Sequence, residues 1–321
     1  GTVWRAMTDI VSFGEATLRL RAPRGRQLAR TERFDAAAGG PECNTAVAAA
    51  ELGADAVWLS RLPDSPLGRR VVAEFRSHGV RTGVSWADAD AELATAFVDA
   101  GAEPRGRAEI HHDHESAFTG VHAGNLPLGV VQDATYFYLT GTTPARSKRA
   151  AAATKTLLET ASEADTTVSF DLRYRERDWS REKARSACES LFPHVDVLFA
   201  TLEEAGTVFD EEGDPVEVAH AIRTSFDFET VVLTHGDGGT LVVHDDEIHE
   251  AEAVEAEVVD DAGSADAFVG GFLAKRAGGG DIDEALAWAS AAGAIAKTLE
   301  GDAADVPREQ VATLAARDDD R

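Results

Sequence analysis

The stretch from Tyr136 to Leu233 constrains this chain most, because strand-like and helix-like segments follow one another there without interruption. The sequence predicts strands at Tyr136–Leu139, Thr167–Asp171, Val195–Phe199 and Thr230–Leu233. Between them it predicts helices at Arg146–Ser162, Arg181–Phe192, Glu203–Phe209 and Val216–Thr224. Short β-rich runs alternating with longer amphipathic segments imply an α/β fold with a mostly parallel sheet covered by helices on both faces. Ligands of such sheets bind beyond the carboxyl ends of the strands, so the strand ends are where chemistry is to be sought.

The amino-terminal part begins the same way. Asp9–Phe13 reads as a first core strand that stops at Gly14-Glu15, and Gly39-Gly40-Pro41-Glu42-Cys43-Asn44 leads into a small-residue helix closed by Gly53. A second core strand at Ala56–Ser60, a turn at Leu62–Leu67 and an amphipathic helix at Arg69–Ser77 follow. Two segments depart from this order. Thr17–Arg21 alternates like a half-exposed strand and runs into an Arg-rich stretch, while Ala94–Val98 and Ala108–His112 pair as a hairpin. The expected organisation is a core of residues 7–14, 37–90 and 119–321, with 15–36 and 91–118 inserted as a small β-sheet lid.

Val254–Arg276 reads as strand, tight loop and helix, and its small residues Gly263-Ser264-Ala265 expose backbone N–H groups at a positive helix end. Asp266 falls in the first turn of that helix, where the helix dipole favours a carboxylate in any case. It is one of six polar strand-end features. The others are Gly14-Glu15, Gly39-Gly40 with Asn44, Asp171 with Arg173 and Arg175, Thr201–Glu204, and Thr234–Gly239.

Charge narrows the partners. A net charge of −26, from 57 acidic against 31 basic residues, makes nucleic acid and anionic membrane surfaces poor ligands. The acid excess is spread along a chain that is 44% hydrophobic, which suits a halophile's cytoplasm, where salt screens the self-repulsion. Cys43 and Cys188 form no disulfide framework, and no apolar run is long enough to span a membrane. Met7 directly precedes the first strand, so Gly1–Ala6 reads as an upstream extension.

Two motifs carry a resemblance. Gly39-Gly40-x-x-Asn44-x-Ala46-x-x-x-Ala50-x-Leu52-Gly53 is close to the GGxxNxAxxxAxLG of the ribokinase-like (PfkB) sugar kinases. Asp260-Asp261-Ala262-Gly263-Ser264-Ala265-Asp266-Ala267-Phe268 resembles that family's DTxGAGDxF. The resemblance implies a three-layer α/β/α ribokinase-like fold and an ATP- and Mg²⁺-dependent kinase, with K⁺ as a candidate activating ion. It makes Asp266 the general base and the amides of Ala262, Gly263, Ser264 and Ala265 the anion hole for the transferring phosphoryl group. Ala265 stands where the family has Gly, and a positive φ there would cost about 1 kcal/mol.

Carried over in the same way, Thr234, Gly236 and Gly239 match a nucleotide loop, although a β-hairpin turn explains the glycines almost as well. Glu204 matches a residue that organises Mg²⁺ through water, with Thr201 in place of the family's Asn; a helix N-cap followed by first-turn glutamates is the plainer reading. Gly39, Gly40, Asn44, Asp171 and Arg175 become sugar-site residues. Ser169–Arg175 with Trp179 resembles the FDxNYRxxLW segment of 2-keto-3-deoxygluconate kinases, with Arg173 in place of Asn, and Leu139–Ala145 resembles their LSGITPAL. Arg175 would pair with a sugar-acid carboxylate.

Arg19 stands where fructokinases have a hydroxyl-binding Asp, whereas Ile110–Asp113 lacks the YYR of the sugar-acid enzymes. The leading expectation is therefore phosphorylation of the terminal hydroxyl of 2-keto-3-deoxygluconate. The alternatives are a fructokinase or other ketose or ribose kinase, and a non-catalytic sugar- or nucleotide-binding regulator. His112 and His114 read as an exposed lid strand before a metal site. Lids of this kind pair between subunits, so a homodimer through the lid is also expected.

Overall fold

The computed structural model describes residues 8–101, 104–245, 247–301 and 305–317. Met7 with the segment before it, and the acidic tail from Asp318, lie outside the described residues.

The first strand shows how the layers arise. In β1 (Thr8–Phe13), Val11 and Phe13 point into one apolar cluster and Ile10 into another. A strand buried on both faces needs a covering layer on each. β2 (Thr17–Arg21) and β3 (Asp35–Gly39) leave the core, and α1 (Pro41–Glu51), β4 (Ala56–Pro63), α2 (Pro66–Ser77) and β5 (Arg81–Ala87) return to it. β6 (Thr95–Asp99) and β7 (Ala108–His112) depart again. The chain then alternates through α3 (Leu128–Gln132), β8 (Ala134–Thr140), α4 (Thr142–Ala145), α5 (Lys148–Ser162), β9 (Thr167–Asp171) and α6 (Arg181–Leu191). It continues with β10 (Val197–Thr201), α7 (Leu202–Phe209), α8 (Pro215–Phe226), β11 (Thr230–Thr234), β12 (Thr240–His244) and β13 (Glu247–Ala251). α9 (Ser264–Ala277), α10 (Ile282–Lys297) and α11 (Arg308–Ala315) complete it.

Among the described residues, a nine-stranded sheet runs in the order β13-β12-β11-β10-β9-β8-β1-β4-β5. Its pairs are parallel from β11 to β5, and β12 and β13 add an antiparallel edge. The chain winds one way from β1 to β5 and the other way from β8 to β11, which puts the topological switch between β1 and β8. A second, four-stranded sheet, β3-β2-β6-β7, holds both departing segments, and its β3 runs on to Gly39. No helix of the described residues is long and apolar enough to cross a membrane.

Three details depart from the sequence expectations. The valines before α9 form no strand: Val258 and Val259 are exposed, and the amides of Val259 and Asp260 bond the Lys297 carbonyl at the end of α10. The hairpin strand β13 already occupies the sheet edge, so this segment has no strand to pair with. β5, with Gly83 and Ser85 in place of a continuous apolar run, carries too weak a pattern to read as a strand. The helix expected from Arg146 starts at Lys148, because the Ser147 side chain accepts from the Ala150 amide and caps it, and the short α4 before it was not expected.

The helices beside the site pack through small residues. A Cβ on Gly270 would stand 2.7 Å from the Ala48 methyl and 2.8 Å from the Thr45 carbonyl oxygen, so α9 lies backbone-close to α1. Gly270→Val is expected to destabilise the protein by about 1–3 kcal/mol through overpacking. Denaturant unfolding at constant KCl checks this, and an unchanged midpoint would contradict the close packing.

Candidate active site

Asp266 and Asn44, far apart in the chain, meet because α9 and α1 start side by side. The α9 N-cap is Gly263, whose φ of 77° is one that glycine adopts without steric cost. Asp266 follows in the first turn, buried, and its Oδ2 accepts from Asn44 Nδ2 at 2.8 Å. Asn44 Oδ1 in turn accepts from the Gly40 amide at 3.3 Å. Gly40 has to be small, since a Cβ there would lie 2.4 Å from the Glu15 carbonyl oxygen.

The other oxygen of Asp266 is held by Arg173. Just beyond β9, Arg173 Nε donates to Asp171 Oδ2 at 2.6 Å, and its Nη2 donates to Asp266 Oδ1. Burial raises the Asp171 pKa against the lowering pull of Arg173, with Asp266 adding a like charge. Desolvation works against the Arg173 cation, but the two carboxylates outweigh it and its pKa rises well above the usual arginine value. Its backbone is in the left-handed region, with φ of 41°. That conformation suits Asn and costs an arginine about 1 kcal/mol or more. Ala265, where strain was expected, lies in the first helical turn and is not among the non-glycine residues with positive φ.

Two cavities flank this pair. One, of about 420 Å³, is mostly apolar and lies against Thr234, Gly236, Gly239 and Thr240 on one side and Phe268, Gly293 and Lys297 on the other. The second, of about 430 Å³, is polar; Gly39, Gly40 and Asn44 form its floor, and Arg19, Arg107, Glu109 and His111 of the small sheet form a wall. Arg173 and Ala265 line both, so the first turn of α9 and the end of β9 are their common boundary. The small sheet is tied down beside that boundary, since Arg21 pairs with Asp260 and Arg24 Nη2 donates to the Val259 carbonyl at 2.9 Å.

The polar cavity contains a charged network that sequence reasoning did not assemble. Arg146 contacts Glu15 at 2.7 Å, Asp113 at 3.2 Å and Asp178 at 3.7 Å, and Arg177 contacts Asp113 at 3.0 Å. Burial pushes the Glu15 carboxyl up to about 7, against the opposing pull of Arg146 and a hydrogen bond from Ser116. Glu42, fully buried below, accepts from the Thr140 amide and hydroxyl and from the Thr143 hydroxyl at 2.6–3.1 Å. Gly14-Glu15 stood out as a strand-end pair, but the Glu15 partners Arg146 and Ser116 come from distant segments with no common motif. Arg19 is committed to Glu109 at 2.6 Å. The Arg175 side chain lines the same cavity and makes no hydrogen bond or ion pair among the described residues; desolvation, then the nearby Arg173 cation, lowers its pKa.

Glu204 is used locally. Its carboxylate accepts from the Thr201 amide and hydroxyl at 2.9 and 3.0 Å and from the Tyr174 amide at 2.8 Å, so Thr201 is the N-cap of α7 in a capping box. It borders the apolar cavity. No cluster of three or more acidic, His or Cys side chains suited to a metal occurs among the described residues, and His112 sits edge-on to Phe97 at 5.9 Å. The residues present therefore fit a divalent ion carried by nucleotide phosphates and reached through water, not a cage of protein ligands. Thr234–Gly239 is the turn of the β11–β12 hairpin and also the edge of the apolar cavity, so its two readings are compatible.

A ribokinase-like layered fold with two cavities meeting at a buried carboxylate defines a small-molecule phosphotransferase of the carbohydrate kinase class. The chain belongs to the pfkB family of carbohydrate kinases, whose model matches residues 7–309. It is 42% identical over 303 residues to a 2-dehydro-3-deoxygalactonokinase of Haloferax volcanii, covering 94% of this chain and 95% of that one. Among solved structures it resembles the 2-dehydro-3-deoxygluconokinase of Thermotoga maritima, with 27% identity, a TM-score of 0.90 and coverage of 96% and 99%. A fructokinase from Xylella fastidiosa with bound ATP is 25% identical, with a TM-score of 0.84 and coverage of 96% and 98%.

Glu15 offers a check on the network. A carboxyl whose native pKa is about 7 against an ordinary 4.5 stabilises the fold fully below the lower value, and that contribution is lost as pH rises through 7. Between about pH 5 and about pH 8 the wild type should lose more thermal stability than Glu15→Gln does. Parallel profiles for the two proteins would show that Glu15 titrates normally.

Proposed function

We propose that this carbohydrate kinase transfers the γ-phosphoryl group of ATP to the terminal hydroxyl of a 2-keto-3-deoxy sugar acid, 2-keto-3-deoxygluconate or its galactonate epimer. The observation that carries the reading is Arg175, a cation in the polar cavity without a hydrogen-bonding partner among the described residues, beside Arg146 and Arg177, whose charges are already paired. A substrate carboxylate would complete it with a bidentate pair. The printed names of the Haloferax and Thermotoga relatives support an acid substrate. The neutral-ketose alternative draws on the cavity carboxylates Glu15, Asp113 and Asp178, which suit hydroxyl groups, and on the fructokinase likeness.

In this reading the sugar lies on Gly39, Gly40, Asn44 and Asp171, and the nucleotide lies against Thr234, Gly236 and Gly239. The small sheet acts as a lid that excludes water from the reacting groups. The acceptor oxygen attacks the γ-phosphorus while its proton passes to Asp266. The bond from phosphorus to the β,γ-bridging oxygen breaks, and its electron pair leaves with ADP. Amides of Ala262, Gly263, Ser264 and Ala265 stabilise the charge on the transferring group. Magnesium, reached through water from Glu204, would supply charge neutralisation for the phosphates. A cytoplasm at high salt, K⁺ as activator and a dimer through the lid sheets belong to the same proposal.

ADP release at high KCl, with a panel of sugars and sugar acids, tests the reading. Asp266→Asn should lose about 10²–10⁴ in kcat, and turnover equal to wild type would end its role as base. Arg175→Met should raise KM for sugar acids about tenfold or more and leave neutral sugars unaffected; equal effects on both would favour the ketose. With 57 acidic residues, the thermal midpoint should rise from dilute to multimolar KCl, and light scattering there should give the mass of two chains.

A further inference from the structure

Arg173 is out of place by every local criterion. Its backbone is left-handed, it stands where the resembling segment has Asn, and its guanidinium is set between two buried carboxylates. The surrounding chain over-determines that conformation. The Leu172 amide donates to the Phe199 carbonyl at 2.9 Å, the Tyr174 amide donates to Glu204 at 2.8 Å, and Gly141 leaves room for the Leu172 carbonyl, which a Cβ would approach to 2.3 Å. Strain held in place this firmly is characteristic of functional positions.

The guanidinium has five N–H donors, and Asp171 and Asp266 take up Nε and Nη2. Among the described residues Nη1 has no hydrogen-bond partner, while the residue borders both cavities. Asp266 is the carboxylate that it touches, so the guanidinium lies at the common boundary of the two cavities.

The geometry points to Arg173 as a catalytic residue, a cation supplied from within the chain that binds the peripheral oxygens of the phosphoryl group in transit between the two cavities. This rests on the kinase reading above. In the resting protein Arg173 holds Asp266. During transfer the acceptor oxygen bonds to phosphorus, the bridging oxygen leaves with its electron pair, and the hydroxyl proton goes to Asp266. The charge on the three peripheral oxygens then takes up the free donors, as an arginine finger does in other phosphoryl transfers. The fixed fork of an arginine serves this purpose where a lysine does not.

Arg173→Asn and Arg173→Gly both suit the left-handed backbone and are expected to fold, with ADP affinity close to wild type and a lowered thermal midpoint, since two buried carboxylates lose the cation between them. Full-length wild type, both variants and Asp266→Asn are compared at high KCl with the best substrate of the panel. The expected result is a loss of about 10²–10³ in kcat across the whole pH range, with KM for both substrates within about fivefold of wild type. The variants should also lose the extra affinity that aluminium fluoride confers on ADP plus sugar. Millimolar guanidinium should restore part of the Arg173→Gly rate. A kcat within about threefold of wild type, or a rate that recovers fully at high pH, would reduce Arg173 to a holder of Asp266 and overturn the proposal. If wild type turns over no sugar or sugar acid, the kinase reading fails first and the proposal with it.

Discussion

The site depends on one arrangement: the carboxylates of Asp171 and Asp266 beyond the sheet, with the Arg173 guanidinium between them. Two buried like charges at such a place would repel, and the cation between them offsets that repulsion. Asn44 then fixes the second oxygen of Asp266, so that helix packing and electrostatics set the same geometry. The tight contact of α9 with α1 follows from this need, since a larger residue at Gly270 would push the two first turns apart.

The polar cavity is organised on the same principle at larger scale. Arg146 is balanced by Glu15, Asp113 and Asp178, and Arg177 shares Asp113. The Arg175 side chain stands apart from these pairs in the same cavity. Asp113, just past β7, is paired to cations from β9's loop and α4's end. The wall made by the small sheet is joined to the loop before α9 through Arg21 and Asp260.

Much of the fold was legible because burial on both faces leaves an unmistakable pattern. Continuous apolar strands such as Val231–Leu233 and small-residue helices such as α1 and α9 could be read directly. Reading failed where the pattern was supplied by something other than burial. Val254–Val259 has strand composition, yet β13 takes the edge it would need. β5 is a strand by position, not by composition, and the break before α5 comes from a single serine cap.

The sequence alone determined the alternation that builds the sheet and the glycine at Gly263, because these are set by periodicity and local sterics, while Asp266 stood out through its motif's resemblance to a known family. Tertiary structure decided the rest. Which of the arginines near the cavity stay unpaired depends on carboxylates from distant elements, and Coulomb interactions act through space without regard to chain order. The strain moved for the same reason: Ala265 lies at ease in a helix, while Arg173 is held left-handed by neighbours that no local reading could assign to it.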